Sequence, residues 1–151
     1  MIFEFQFLVT LLFKKMIECL IIGDSIGVGV SQVRKECASV VKSGINSTDW
    51  NKKNLTKLQP AGSVIISLGA NDTKRIDTES NVRFLRGQIK SNKVYWILPN
   101  EHLKPLAVAA VTKVALEHGD VIIQRPKTDM SADNVHPTGK GYQKLANLTR
   151  N

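Results

Sequence analysis

Four short stretches of this chain carry the residue types of nucleophilic catalysis. The first is Gly23-Asp24-Ser25-Ile26-Gly27-Val28-Gly29, which follows an apolar run and leads into a helical pattern. A serine at such a turn presents its hydroxyl at the edge of a sheet. It also lies near a helix N-terminus, whose dipole favours developing negative charge. Gly-Asp-Ser is equally an ordinary strand-to-helix turn with Asp24 or Ser25 as the cap. The second stretch, Asp133-Asn134-Val135-His136-Pro137, sets a carboxylate three residues before an imidazole. A tight turn there brings Asp133 to one ring nitrogen and leaves the other facing outward. That is the orienter-and-base half of a Ser-His-Asp system, and the carboxylate fixes the tautomer of His136. His102 and His118 read as solvated histidines without a role.

The third stretch, Gly69-Ala70-Asn71-Asp72, ends another apolar run. The Asn71 amide is the kind of side-chain donor that stabilises an oxyanion beside backbone N–H groups, although Asn-Asp is also a common turn and cap. The fourth, Lys42 to Ser47, contains Gly44, where the backbone can approach a ligand closely and offer its N–H. None of this is a phosphate-binding loop, because no Lys-Ser/Thr pair follows the first glycines.

These stretches need elements to bring them together. Five short apolar runs fit buried strands: Ile17–Ile22, Ala38–Val41, Ser63–Leu68, Val94–Leu98 and Val121–Gln124. Between them lie helical patterns over Val28–Glu36, Thr48–Leu58 (with Ser47 or Thr48 as cap) and Thr78–Ser91. A fourth runs from His102 or Lys104 to His118, with Gly119 as a C-cap, and a fifth over Thr138–Thr149. Alternation of this kind predicts an α/β fold, a parallel sheet with helices on both faces, right-handed crossovers and strand order 2-1-3-4-5. The ligand crevice then lies beyond the carboxyl ends of the strands, where all four stretches fall.

With these blocks in this order, the sequence resembles the SGNH (GDSL-like) hydrolase family over Ile17 to about Leu148. The resemblance implies a three-layer α/β/α sandwich with five parallel strands. It implies Ser25 as nucleophile, His136 as general base and then acid, and Asp133 as its orienter. The oxyanion hole would use the backbone N–H groups of Ser25 and Gly44 and the side chain of Asn71. Members are mostly esterases, lipases, thioesterases and carbohydrate deacetylases that need no metal or organic cofactor. Ile26 stands where the family name has leucine, and no long insertion is present to serve as a lid.

Composition narrows the reading further. A chain of 151 residues, 42% of them hydrophobic, is a single folded domain's worth. Its net charge of +8 is dispersed in pairs such as Lys52-Lys53 and Lys74-Arg75, which reads as a generally basic surface; no nucleic-acid partner is expected. Cys19 and Cys37 fit no zinc spacing; one bridge between them is possible, and the favoured reading is two free buried thiols.

Residues 1–15 are apolar up to Lys14-Lys15 but too short to span a membrane, and no cleavage site follows them. Either they pack on the domain or on a second copy, or Met16 is the natural start of a domain running over residues 16–151. The expectation is a cytoplasmic or virion-associated protein of unassigned oligomeric state.

The expected substrate is a short acyl ester, acetyl first, on a small molecule or a glycan carrier. Trp50 and the 73–80 loop are candidates to line the site, with packing of the second helix an equal reading for Trp50. The alternatives are a lysophospholipase or thioesterase acting on longer chains, and a non-catalytic module of a phage or surface assembly.

Overall fold

A computed structural model describes residues 16–150. Its elements in chain order are β1 (Ile17–Gly23), α1 (Ser25–Val33), β2 (Ala38–Val41), α2 (Ser47–Asn54), β3 (Ala61–Ser67), α3 (Thr78–Gln88), β4 (Ser91–Ile97), α4 (Pro105–His118), β5 (Val121–Ile123) and α5 (Gly139–Leu148). A single 3₁₀ turn, Leu55–Lys57, follows α2. All strand pairs are parallel and the order is β2-β1-β3-β4-β5, as the alternation predicted. Residues 1–15, to which the two readings of the N-terminus apply, lie outside the described residues.

Two apolar layers flank the sheet. On one face Leu20, Ile22, Val64, Ile66 and Trp96 meet Trp50 of α2, Val82 and Leu85 of α3, and Val111 and Val114 of α4. On the other face Ile21, Ile65, Tyr95 and Ile97 meet Ile26 and Val30 of α1 and Leu145 and Ala146 of α5. Successive strand residues therefore serve opposite layers, and the central strands must be apolar on both faces. This is a three-layer α/β/α sandwich.

Register decides where the loops leave the sheet. Gly23 pairs with both Val41 and Ser67, so β1, β2 and β3 end level with one another. The ladder runs one residue further through Asp24 N–H to Ser67 O (2.9 Å) and Lys42 N–H to Gly23 O (3.0 Å). Gly23 has φ +135°, and a Cβ there would lie 1.9 Å from Ser67 O, so only glycine permits this close exit.

Several boundaries differ from the sequence reading. The helix α1 begins at Ser25 rather than Val28, because the Asp24 side chain caps the Ile26 N–H; Gly27 and Gly29 had hidden its first turn. The cap of α2 is Asn46, not Ser47 or Thr48. β3 and β4 start earlier than their apolar runs, because pairing extends through residues that are less apolar or less buried: Gly62 and Ser63 are half-buried, and Asn92 and Lys93 are exposed.

The cysteines are also corrected. Cys19 and Cys37 are joined in a disulfide and no free cysteine remains. The register explains it: Leu20 pairs with Ala38, so the residue before each lies alongside the other.

Candidate active site

Asp24 turns the chain from β1 into α1. It is fully buried, and its Oδ1 accepts from Ile26 N–H (3.0 Å) and from Ser67 Oγ at the end of β3 (2.9 Å). Its Oδ2 has no hydrogen-bond partner in the protein. Burial pushes the Asp24 carboxyl up to about 6, against the hydrogen bonds that lower it. This clamp holds Ser25 at the first position of α1, at the positive end of the helix dipole.

His136 reaches Ser25 from across the carboxyl edge of the sheet, on the loop that follows the edge strand β5. Ser25 Oγ lies 2.8 Å from His136 Nε2. His136 Nδ1 lies 2.7 Å from Asp133 Oδ2. The other Asp133 oxygen accepts the backbone N–H groups of Val135 (2.9 Å) and His136 (3.0 Å). These bonds hold the Asp133 carboxyl far below the usual carboxylate range, the backbone N–H of His136 first and its side chain next. An ionised Asp133 only accepts, so Nδ1 donates and Nε2 turns its lone pair to the Ser25 hydroxyl. Three residues separated by up to 111 positions in sequence thus stand in one hydrogen-bonded series. The His136 and Asp133 side chains are 40% and 50% exposed, so substrate can approach from solvent.

The loop carrying this pair is tied down along its length. Met130 and Pro137 form a bridge, and Asn134 turns at its tip with φ +55°. Asn100, just beyond β4, donates to Asn134 O (2.9 Å), and Arg125, just beyond β5, donates to Val135 O (2.9 Å). Burial draws Arg125 below its ordinary value while the charge of Asp133 opposes that shift. Asp129 accepts from Lys144 of α5. α5 then packs on α1, where Tyr142 lies against Gly29: a Cβ at position 29 would come within 2.2 Å of the ring. The glycine four residues after Ser25 therefore sets how closely the two helices behind the site approach.

Asn71 follows β3, whose end is level with that of β1, the strand that leads to Ser25. Its Nδ2 donates to Ile45 O (3.0 Å), one residue past Gly44, and the amide has a second N–H for another acceptor. Gly44 is exposed with φ +81°, and no atom lies within 4 Å of where its Cβ would be, so backbone conformation alone calls for glycine. Asp72 fixes both turns from below. It accepts Ser47 N–H (2.8 Å), Ser47 Oγ (2.6 Å) and Thr78 Oγ1 (2.7 Å), while Lys104 Nζ donates to its backbone oxygen (2.9 Å).

Sequence reasoning read Asp72 only as part of a turn and did not single out Ser67, Asn100, Arg125 or Tyr142. Of these only Asp72 had a signal, its place beside Asn71. Trp50, a candidate to line the site, is instead fully buried beneath α2, with Nε1 donating to Val40 O (3.0 Å). Of the 73–80 loop, residues 73–75 are exposed and 78–80 already belong to α3. Among the described residues no group of three side chains suited to a metal ion exists. No described helix is long and apolar enough to cross a membrane.

No family model and no curated protein matches the sequence. Solved structures do match. A structure described as a lipolytic protein of the G-D-S-L family from Desulfitobacterium hafniense DCB-2 superposes with a TM-score of 0.57 at 17% identity, over 86% of this chain and 95% of that one. The aryl esterase of M. smegmatis superposes with a TM-score of 0.60 at 16% identity, over 88% and 96%. The C-terminal catalytic domain of Streptococcus pneumoniae peptidoglycan O-acetyltransferase A does so with a TM-score of 0.59 at 15% identity, over 87% and 89%. The fold is that of the SGNH hydrolases. Identities this low speak for the fold alone.

Proposed function

We propose that this SGNH-fold protein is a serine esterase that removes a short acyl group, acetyl first, through an acyl-serine intermediate. The observation that carries the proposal is the series Ser25 Oγ–His136 Nε2–His136 Nδ1–Asp133 Oδ2, with spacings of 2.8 and 2.7 Å. Ser25 Oγ adds to the ester carbonyl as its proton passes to His136 Nε2. The oxyanion is met by the N–H of Ser25 at the start of α1, the N–H of Gly44 and the free N–H of Asn71. Collapse breaks the C–O bond, and the departing alcohol takes the proton from His136. Water then attacks the acyl-serine with His136 again as base, and Ser25 recovers its proton. Asp133 holds the tautomer and stabilises the imidazolium while remaining ionised.

The openness of the site supports a small acyl group on a carrier that stays largely in solvent. Similarity to an aryl esterase and to a peptidoglycan O-acetyltransferase supports acyl transfer as the reaction class. The Cys19–Cys37 disulfide fits an oxidising compartment better than a reducing cytoplasm, one of the two locations, cytoplasmic or virion-associated, that the sequence reading expected.

The test is a series of 4-nitrophenyl esters from acetate to palmitate, with wild type and Ser25→Ala. Turnover greatest on acetate and absent in the variant supports the proposal. A rate maximum above about eight carbons moves the reading to lipids or thioesters. Equal turnover in both proteins removes Ser25 as the nucleophile.

A further inference from the structure

Beside the site, the outer edge of β2 and the helix α2 enclose an open cleft of about 370 Å³. That volume is at the small end of the range for ligand sites. Its lining includes Lys42, Lys53, Lys57, Ser39, Asn54 and Ile45, and no carboxylate. Lys42 stands eleven residues before Lys53, and Lys53 four before Lys57, and the fold sets all three around one hollow. All three are exposed, and among the described residues none forms a salt bridge. The acid on the same helix, Asp49, stands four residues before Lys53, and its Oδ2 accepts from Asn46 Nδ2 (3.4 Å).

The cleft adjoins the proposed chemistry. Lys42 and Ile45 line it and flank Gly44; Lys42 N–H bonds Gly23 O (3.0 Å), and Ile45 O accepts from Asn71 (3.0 Å). A substrate chain whose ester lies over Ser25 has Lys42 on its β2 side, and from there the cleft runs along β2 and α2 to Lys53 and Lys57. Gathered like charges in a cleft raise the local concentration of a counter-charged ligand.

We propose that this cleft is a subsite for an anionic sugar, and that the ester's carrier is an acidic glycan bearing carboxylate or phosphate next to the acylated residue. The proposal deepens the esterase reading and rests on it for the ester, but the subsite has its own binding test.

The first measurement is backbone amide chemical shifts of the wild type with oligogalacturonate, with a sugar phosphate and with a single-stranded DNA oligonucleotide. Shifts centred on Lys42, Lys53 and Lys57 with either sugar support the proposal, and the better of the two identifies the anion. No shift in the cleft with either sugar overturns it, as does a cleft that takes the oligonucleotide in preference to both. The second is acetate release from an acetylated polyuronate relative to hydrolysis of 4-nitrophenyl acetate. In Lys53→Gln/Lys57→Gln this ratio falls about tenfold or more, and in wild type it falls with added salt. Where the shifts favour the uronate, a ratio unmoved by either the variant or salt overturns the subsite while leaving the esterase intact; where they favour the sugar phosphate, the same ratio is measured on an acetylated sugar phosphate with the same two outcomes. Loss of 4-nitrophenyl acetate hydrolysis with wild type would instead count against the esterase, and the shift measurement would still decide the subsite.

Discussion

Asp24→Asn isolates the cost of the clamp that presents Ser25. The wild-type carboxyl is buried, its Oδ2 is unpartnered, and it holds its proton up to about 6 rather than the ordinary 3.8. Below 3.8 both folded and unfolded chains keep that proton, and Asp24 adds no pH dependence. Between 3.8 and about 6 the unfolded chain gives it up first, so folding loses stability as pH rises. Above that interval the loss is complete and amounts to about 3 kcal/mol, because each tenfold difference in proton affinity is worth about 1.4 kcal/mol. Asparagine keeps the Oδ1 acceptor for Ile26 N–H and Ser67 Oγ but carries no charge. Whatever fixed cost its amide brings does not change with pH. Urea unfolding of both proteins at pH 4, 5, 6 and 7 measures the difference. The expected result is that the variant gains about 2 kcal/mol relative to wild type between pH 4 and pH 7, whatever the sign of the offset, the remainder of the loss lying below pH 4. A difference flat with pH would refute the account of Asp24 as a buried group with a raised proton affinity.

Three further outcomes follow from other contacts. Asn71→Ala removes the proposed side-chain oxyanion donor and the tie to Ile45 O, and kcat on 4-nitrophenyl acetate falls about a hundredfold or more while circular dichroism stays native. Gly29→Ala drives a methyl toward the Tyr142 ring, so α1 and α5 separate; stability drops by about 1–3 kcal/mol in urea and kcat falls with it, since α5 continues from the His136 loop. Reducing the Cys19–Cys37 bridge frees a loop of 18 residues, worth about 3 kcal/mol of chain entropy, and lowers Tm by roughly 10 °C in a calorimetric scan.

Much of the architecture was legible in the sequence because both signals were local. Strands buried on both faces show as continuous apolar runs, and Gly119 marks the end of α4 by the left-handed turn it makes. The three residues of the hydrogen-bonded series were legible because each stands in a short stretch of restricted chemistry. What lay hidden depended on spatial neighbours. Helix α1 was read three residues late because its first turn is glycine-rich and is secured by a cap and by packing on α5, not by propensity. The disulfide required the register of β1 against β2, which spacing alone does not supply. Arg125 and Asn100 hold the His136 loop through its backbone oxygens, a contact that leaves no motif. The lysine cleft drew Lys42, Lys53 and Lys57 from separate elements, so its charge looked dispersed along the chain.

The central claim is that Ser25 is an activated nucleophile, and covalent labelling tests it most directly. Wild type, Ser25→Ala and His136→Ala are treated with a fluorophosphonate at pH 7.5, and the adduct is located by peptide mass spectrometry. The account predicts one adduct, on Ser25, absent from Ser25→Ala and slowed by about a thousandfold or more in His136→Ala. No adduct on wild-type Ser25, or labelling that proceeds equally without His136, would contradict it.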